Sequence, residues 1–152
     1  DLVQDLVEES MSLAIAGQIT LTCDLQVNRS LYVLGDSDRL YRLVFNLITN
    51  AIQYTPAGGQ VTAILKRSNH YALIQVQDTG IGIAPSQQER IFDRFYRVES
   101  DRSRSTGGSG LGLAIAQAIA LEHRGSLTVK SELKKGSIFN VQLPLVEPKE
   151  TA

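Results

Sequence analysis

The sequence predicts an α/β fold, a two-layer sandwich in which helices cover one face of a mixed sheet. Three observations predict it. Helical apolar stripes alternate with groups of two β-prone runs, not with single strands. No internal repeat interrupts that order. The 152 residues, 43% of them apolar, are enough for one core without a disulfide or a structural metal.

Leu2, Val3, Leu6, Val7, Leu13 and Ala14 recur at helical spacing up to Gly17, so a first helix should end near residue 16. Residues 19–25 and 31–34 are short β-prone runs around Asn28, Arg29 and Ser30, the pattern of a hairpin. A second helix, capped by Asp36 or Ser37, places Leu40, Leu43, Val44, Leu47 and Ala51 on one stripe before Pro56, Gly58 and Gly59 stop it. Strands at 61–66 and 71–77 flank the polar turn Ser68-Asn69-His70, and His70 reads as a solvent-exposed turn residue. Residues 78–112 hold three glycine clusters and are too long and irregular for a connector, which marks them as functional. A third helix over 111–122 and strands at 126–131 and 138–143 complete a domain expected to span 1–146, with a polar tail at 147–152.

Fifteen Lys and Arg against sixteen Asp and Glu leave a net charge of −1, which gives no basic field for nucleic acid. No run of 18 apolar residues is present to span a bilayer. Cys23 is the sole cysteine and reads as a packed strand residue, and with two distant histidines there is no zinc spacing. The chain opens on Asp1 without a leader, so it is expected to be cut from something longer.

The chemistry begins on the second helix, where Asn46 and Asn50 lie four residues apart and about 40° from each other around the axis. Two amide oxygens at the border of a buried stripe suit a hard cation that also holds phosphates; they also fit a plain polar helix edge. Asp78-Thr79-Gly80-Ile81-Gly82-Ile83 follows a strand of alternating apolar residues, so a carboxylate stands at the strand end with permissive backbone behind it. An exocyclic amine would suit that carboxylate, and an Asp-initiated turn is the plain alternative. Gly107-Gly108-Ser109-Gly110-Leu111-Gly112-Leu113 opens the third helix, whose free N–H groups offer an anion site, unless the glycines only join a loop to a helix. Neither a P-loop nor a dinucleotide fingerprint is present. Between the clusters lie Phe92, Phe95, Arg97, Arg102 and Arg104, which are either core anchors and solvated cations or a cationic loop that closes over phosphates.

Taken in order, these segments resemble the ATP-binding catalytic domain of sensor histidine kinases, in the GHKL (Bergerat-fold) superfamily shared with gyrase and the mismatch-repair ATPases. Asn46 to Ala51 resembles the N box, Asp78 to Gly82 the first glycine box, Phe92 to Arg97 the F box, Gly108 to Leu113 the second glycine box, and Gly136-Ser137-Ile138-Phe139 the last box. The resemblance covers nearly the whole chain. It implies a five-stranded, mostly antiparallel mixed sheet with three main helices on one face and a mobile ATP lid.

It also implies Mg2+ and ATP as ligands. Asn50 would hold the metal with Asn46 beside it, and Asp78 would take the adenine amine. Gly80 and Gly82 would let the backbone approach the base, with Tyr54, Ile83, Leu113 and Ser137 around the nucleotide. Gly108, Ser109, Gly110, Leu111 and Gly112 would supply the lid hinge and phosphate-facing amides, joined by Phe95 and by Arg97 on the γ-phosphate. Asn46 and Arg97 are the catalytic candidates. The partners implied are a dimerisation hairpin bearing the acceptor histidine, outside this chain, and a response-regulator receiver domain. The isolated domain is expected to be a monomer and the full protein a cytoplasmic or membrane-anchored homodimer.

Two departures follow. Gln53 stands where the family often has Lys or Arg on phosphate, so a point charge is missing, and Arg102 or Arg104 from the lid would compensate. Asn46 stands where the superfamily's ATPases carry a water-activating Glu, and an amide cannot act as a general base, so slow hydrolysis is expected. Neither His70 nor His123 has the setting of a phosphoacceptor. His123 reads as a helix-end residue that favours the dipole when charged. A serine kinase acting on a sigma-factor antagonist and an ATP-sensing or docking module without transfer are the alternative readings, the first opposed by the F box and the second left open by Gln53.

Overall fold

The computed structural model describes residues 2–27, 30–93 and 112–146. Among them, three α-helices and two short 3-10 turns accompany one five-stranded sheet. Helix α1 (Leu2–Ala16) buries Val3, Leu6, Val7, Ser10 and Ala14. It ends by the rule that a residue in left-handed conformation follows the cap. The end at Ala16 is the one the sequence marks, the left-handed residue is Gln18 (φ 58°), and the closing bonds run from the Ile19 N–H to the Ala14 carbonyl (2.8 Å) and from the Gln18 N–H to the Ile15 carbonyl (3.0 Å).

Strand β1 (Thr20–Gln26) leads to α2 (Ser37–Gln53). The α2 N-cap is Asp36, whose Oδ1 accepts from the N–H groups of Asp38 (2.9 Å) and Arg39 (3.3 Å), so two of the helix's orphan donors are satisfied by one side chain. Its stripe, Leu40, Leu43, Val44, Leu47, Ile48 and Ala51, is buried. Each of its Leu, Val and Ile side chains contributes about 1.5–3 kcal/mol of burial when fully enclosed. Strands β2 (Gln60–Ser68) and β3 (Tyr71–Asp78) form an antiparallel pair around an exposed His70. Helix α3 (Gly112–Glu122) and the pair β4 (Ser126–Glu132) and β5 (Gly136–Pro144) follow.

The strand order is β1-β2-β3-β5-β4, parallel between β1 and β2 and antiparallel elsewhere. The core-facing positions of the sheet, among them Val61, Ala63, Ile74, Val76, Phe139 and Val141, pack with the helices in one cluster. The mixed, mostly antiparallel two-layer sandwich is therefore the fold the sequence implies.

The hairpin between residues 19–25 and 31–34 is not formed. β1 pairs in parallel with β2, Thr20 against Gln60 through Gln26 against Lys66, and only Val33 of the second run makes a bridge, to Leu145. A parallel pair needs a crossover, and α2 provides it. His123 stands just past the end of α3, where the sequence reads it, and its ring is engaged on both nitrogens. Its Nε2 accepts the Asp36 N–H at 3.1 Å, so that nitrogen carries no proton, and its Nδ1 proton goes to the Ile119 carbonyl at 2.8 Å. The ring is a neutral staple between the end of α3 and the start of α2, not a cation on a dipole. Gly35 lies flat against it, where a Cβ would collide with the imidazole.

Candidate nucleotide-binding site

The last turns of α2, the end of β3 and the start of β5 meet around a partly open cavity. The α2 stripe is anchored in the core, which fixes the azimuth of the two asparagines beside it. Asn50 lines the cavity. Asn46, one turn back, donates its Nδ2 to the Gly112 carbonyl at the start of α3 (3.1 Å), so its Oδ1 remains an acceptor. Tyr54 caps the helix and also lines the cavity, and its carbonyl accepts the Ile81 N–H at 3.3 Å.

β3 delivers Asp78 opposite Ser137 of β5. Asp78 Oδ1 accepts the N–H of Gly80 (2.9 Å) and of Ser137 (3.2 Å). Burial pushes its carboxyl above the usual carboxylate range, and these two N–H groups pull in the opposite direction without cancelling the effect. Both bonds fall on one oxygen, so Oδ2 keeps its acceptor capacity toward the cavity that Asp78 lines.

Glycine is required at two points of this wall by space. A Cβ on Gly80 would collide with the Tyr54 carbonyl, and one on Gly82 (φ 74°) with the Glu132 carbonyl. The loop they form is sewn to the β4–β5 turn by the Lys134 N–H on the Ile81 carbonyl (2.8 Å) and by the Ile83 N–H on Ser131 Oγ (2.7 Å). The remaining lining is apolar: Ile81, Ile83, Ile91, Leu113 and Phe139, the last packed edge-on by Phe92 at 6.3 Å between centroids. Convergent polar groups on an apolar floor are what a small-molecule site requires.

Of the residues the sequence singles out, Asn50, Tyr54, Asp78, Gly82, Ile83, Leu113 and Ser137 line this one cavity. Asn46, Gln53, Gly80 and Gly112 stand beside it on the elements that build it. Phe95, Arg97, Arg102, Arg104, Gly108, Ser109, Gly110 and Leu111, and with them the lid and most of the F box, lie outside the described residues. Sequence reasoning missed Ile81, Ile91 and Phe139 in the lining, and Ser131 and Gln88 behind it. Phe139 was within reach, since it lies two residues after Ser137 on the same strand face.

A family model described as histidine kinase-, DNA gyrase B-, and HSP90-like ATPase matches residues 35–147. The chain belongs to this family. Within it, the sensor histidine kinase RppB of Synechocystis sp. is 62% identical over 145 residues, which cover 95% of this chain and 32% of RppB. The chain thus spans about a third of the length of the curated relatives it matches. Among solved structures, the mycobacterial sensor histidine kinase MprB matches with a TM-score of 0.77 at 30% identity over 93% of both chains. Full-length ShkA in complex with AMPPNP matches with a TM-score of 0.84 at 28% identity, over 97% of this chain and 30% of ShkA. The sandwich is the fold of histidine kinase catalytic domains, and the stretch the family model matches contains every residue that lines the cavity. Among the described residues, no helix is long and apolar enough to cross a membrane.

Proposed function

We propose that this chain is the domain with which a sensor histidine kinase binds Mg2+ and ATP and passes the γ-phosphoryl group to a histidine on a dimerisation hairpin carried elsewhere in the protein. The observation that supports this best is the meeting of Asn50, Asp78 and Ser137 at one apolar cavity. Asp78 accepts the adenine amine. Gly80 and Gly82, closed against the Tyr54 and Glu132 carbonyls, let the loop backbone approach the base, and Tyr54, Ile83 and Leu113 lie along the nucleotide. Gly108, Ser109, Gly110, Leu111 and Gly112 contribute backbone amides to the phosphates, and Phe95, Arg97, Arg102 and Arg104 belong to the lid that closes on them, with Arg97 on the γ-phosphate and the other cations offsetting Gln53.

The amide oxygens of Asn50 and Asn46 fit a magnesium ion, because hard cations take oxygen ligands and Asn46 has its nitrogen engaged on Gly112. When bound, the metal neutralises phosphate charge. Asn46 cannot deprotonate water, so the site holds ATP for transfer to another nucleophile and hydrolyses it slowly. Both the ATP it uses and a response-regulator receiver domain as final acceptor place the domain in the cytoplasm, as a monomer when isolated and within a homodimer when full length.

The test is calorimetric titration of a magnesium–ATP analogue into the chain, followed by labelled ATP with a histidine-bearing hairpin supplied separately. Binding and label on the hairpin histidine are expected. Binding without label would leave a docking module, and a fast ATPase rate dependent on Asn46 would overturn the transferase reading.

A further inference from the structure

Behind the cavity, Ser131 of β4 faces Ser137 of β5 in the antiparallel register. Its Oγ contacts the Ile83 N–H at 2.7 Å, the Gly136 carbonyl at 3.0 Å and Ser137 Oγ at 2.7 Å. Gln88 Nε2 holds the same corner from outside, donating to the carbonyls of Ile83 (2.9 Å) and Ser131 (3.0 Å). A hydroxyl has one proton and two lone pairs. The Ile83 N–H takes one lone pair. The Gly136 carbonyl can only accept, so it takes the single Ser131 proton. The third contact must then be donated by Ser137 into the second lone pair.

Ser137 is therefore left with oxygen lone pairs, and no proton, for the cavity it lines. Its neighbour across β3, Asp78, is likewise an acceptor toward a ligand. We propose that Ser131 is a specificity-determining residue. By holding the Ser137 proton, it keeps this polar wall acceptor-only, so that a purine with a 6-amino group is selected over one with a 6-oxo group. The inference rests on the nucleotide-binding reading above. An amine meets the wall with two N–H donors, whereas a 6-oxo group meets it lone pair to lone pair. Without Ser131, the Ser137 hydroxyl is free to turn and donate to that oxygen.

The experiment measures Kd for ATP and for inosine triphosphate, both with magnesium, by calorimetry on the whole chain. The variants are Ser131→Ala, Ser131→Thr, Ser137→Ala and the double variant. Loss of the Ile83 contact in Ser131→Ala weakens both nucleotides together, so the ratio of the two affinities is the readout. Preference for ATP should fall roughly three- to tenfold in Ser131→Ala, the range of one net hydrogen bond. Ser131→Thr keeps the hydroxyl and should restore the wild-type ratio. In the Ser137→Ala background, removing Ser131 should leave the ratio unchanged.

An unchanged ratio in Ser131→Ala, or an equal change without Ser137, overturns the proposal while ATP binding still stands. Absence of ATP binding by the wild type overturns the nucleotide reading itself, and the proposal with it. Should Ser131→Ala fail to fold, Ser131→Cys decides: its thiol is a weak acceptor, so a fall in the preference for ATP that disappears in the Ser137→Ala background supports the proposal and a wild-type ratio refutes it.

Discussion

The two ends of α2 are built on opposite principles. At its start, polar groups are satisfied by the protein: Asp36 caps the helix, its N–H is held by neutral His123, and Arg39 forks onto Glu122 through Nε–Oε2 and Nη2–Oε1 bonds of 2.8 Å each. At its end, capacity is left over. Among the described residues, no side-chain hydrogen bond engages the Asn50 amide, and the carboxylate of Asp78 is held through one oxygen only. Native interiors satisfy their polar groups, so unused capacity beside an apolar cavity marks the place where a ligand completes the bonding. The difference teaches which polar residues hold the fold and which wait for a partner, and it predicts that stability and binding separate by end.

The largest effect is expected from Asn50→Ala. Affinity for the magnesium–ATP analogue should fall by at least the roughly 10–100-fold that losing even an outer partner of a metal costs. Thermal stability should change little, because nothing in the described fold leans on that amide. A fall in Tm of several degrees would show that Asn50 holds structure, and the contrast between the ends would fail.

Asp78→Asn sharpens the contrast, since binding and stability should move in opposite directions. The Asn carbonyl can still accept from Gly80 and Ser137, but its amide then faces the ligand amine donor to donor. Loss of a hydrogen bond to a charged group predicts a drop of roughly 10–150-fold in affinity. For stability, the folded carboxyl lies above its ordinary range. The unfolded chain therefore releases that proton first as pH rises, and the contribution of Asp78, full below the unfolded pKa, is lost through the folded one. The variant should be more stable than wild type at pH 7, and the gap should close when urea midpoints are compared near pH 3. A less stable variant at pH 7 would contradict the burial argument.

Much of this was legible in the sequence for a physical reason. The α2 stripe, the Asp36 cap and the strand bearing Asp78 are local patterns whose period declares the element, and all were located. Pairing is not local. Residues 31–34 carry a β-prone pattern but pair only through the Val33–Leu145 bridge and the Val146 N–H on the Tyr32 carbonyl, whereas β1 found its partner across α2, which no period announces. The same holds for Ser131 and Gln88, which are ordinary polar residues until the β4–β5 register and the return of the glycine loop bring them behind Ser137. His123 shows the limit most plainly: its place at a helix end was evident, but its protonation state depends on a backbone N–H 87 residues away.

His123→Phe tests the other end of α2. The ring volume against Gly35 is largely kept while both hydrogen bonds are lost. Stability should fall by about 1–2 kcal/mol, modest because Asp36 is exposed and water can replace one partner. Affinity for the ATP analogue should stay within about twofold. A large loss of affinity at unchanged stability would mean that the staple governs the site, and the two ends could no longer be treated as separate.

The smallest effect belongs to Arg39→Ala. The pair with Glu122 has good bidentate geometry, which would suggest a strong contribution, but its side chains are 46% and 51% exposed. Water screens both charges, and exposed pairs are typically worth about 0–1 kcal/mol. Because the attraction is screened further by ions, the loss measured by urea denaturation should shrink between roughly 0.05 M and 1 M salt, where the screening length falls to about 3 Å. The His123 variant should show no such salt dependence, since its contacts are made by a neutral ring. A salt-independent loss in Arg39→Ala would place the contribution in the packing of the aliphatic stem and not in the charge.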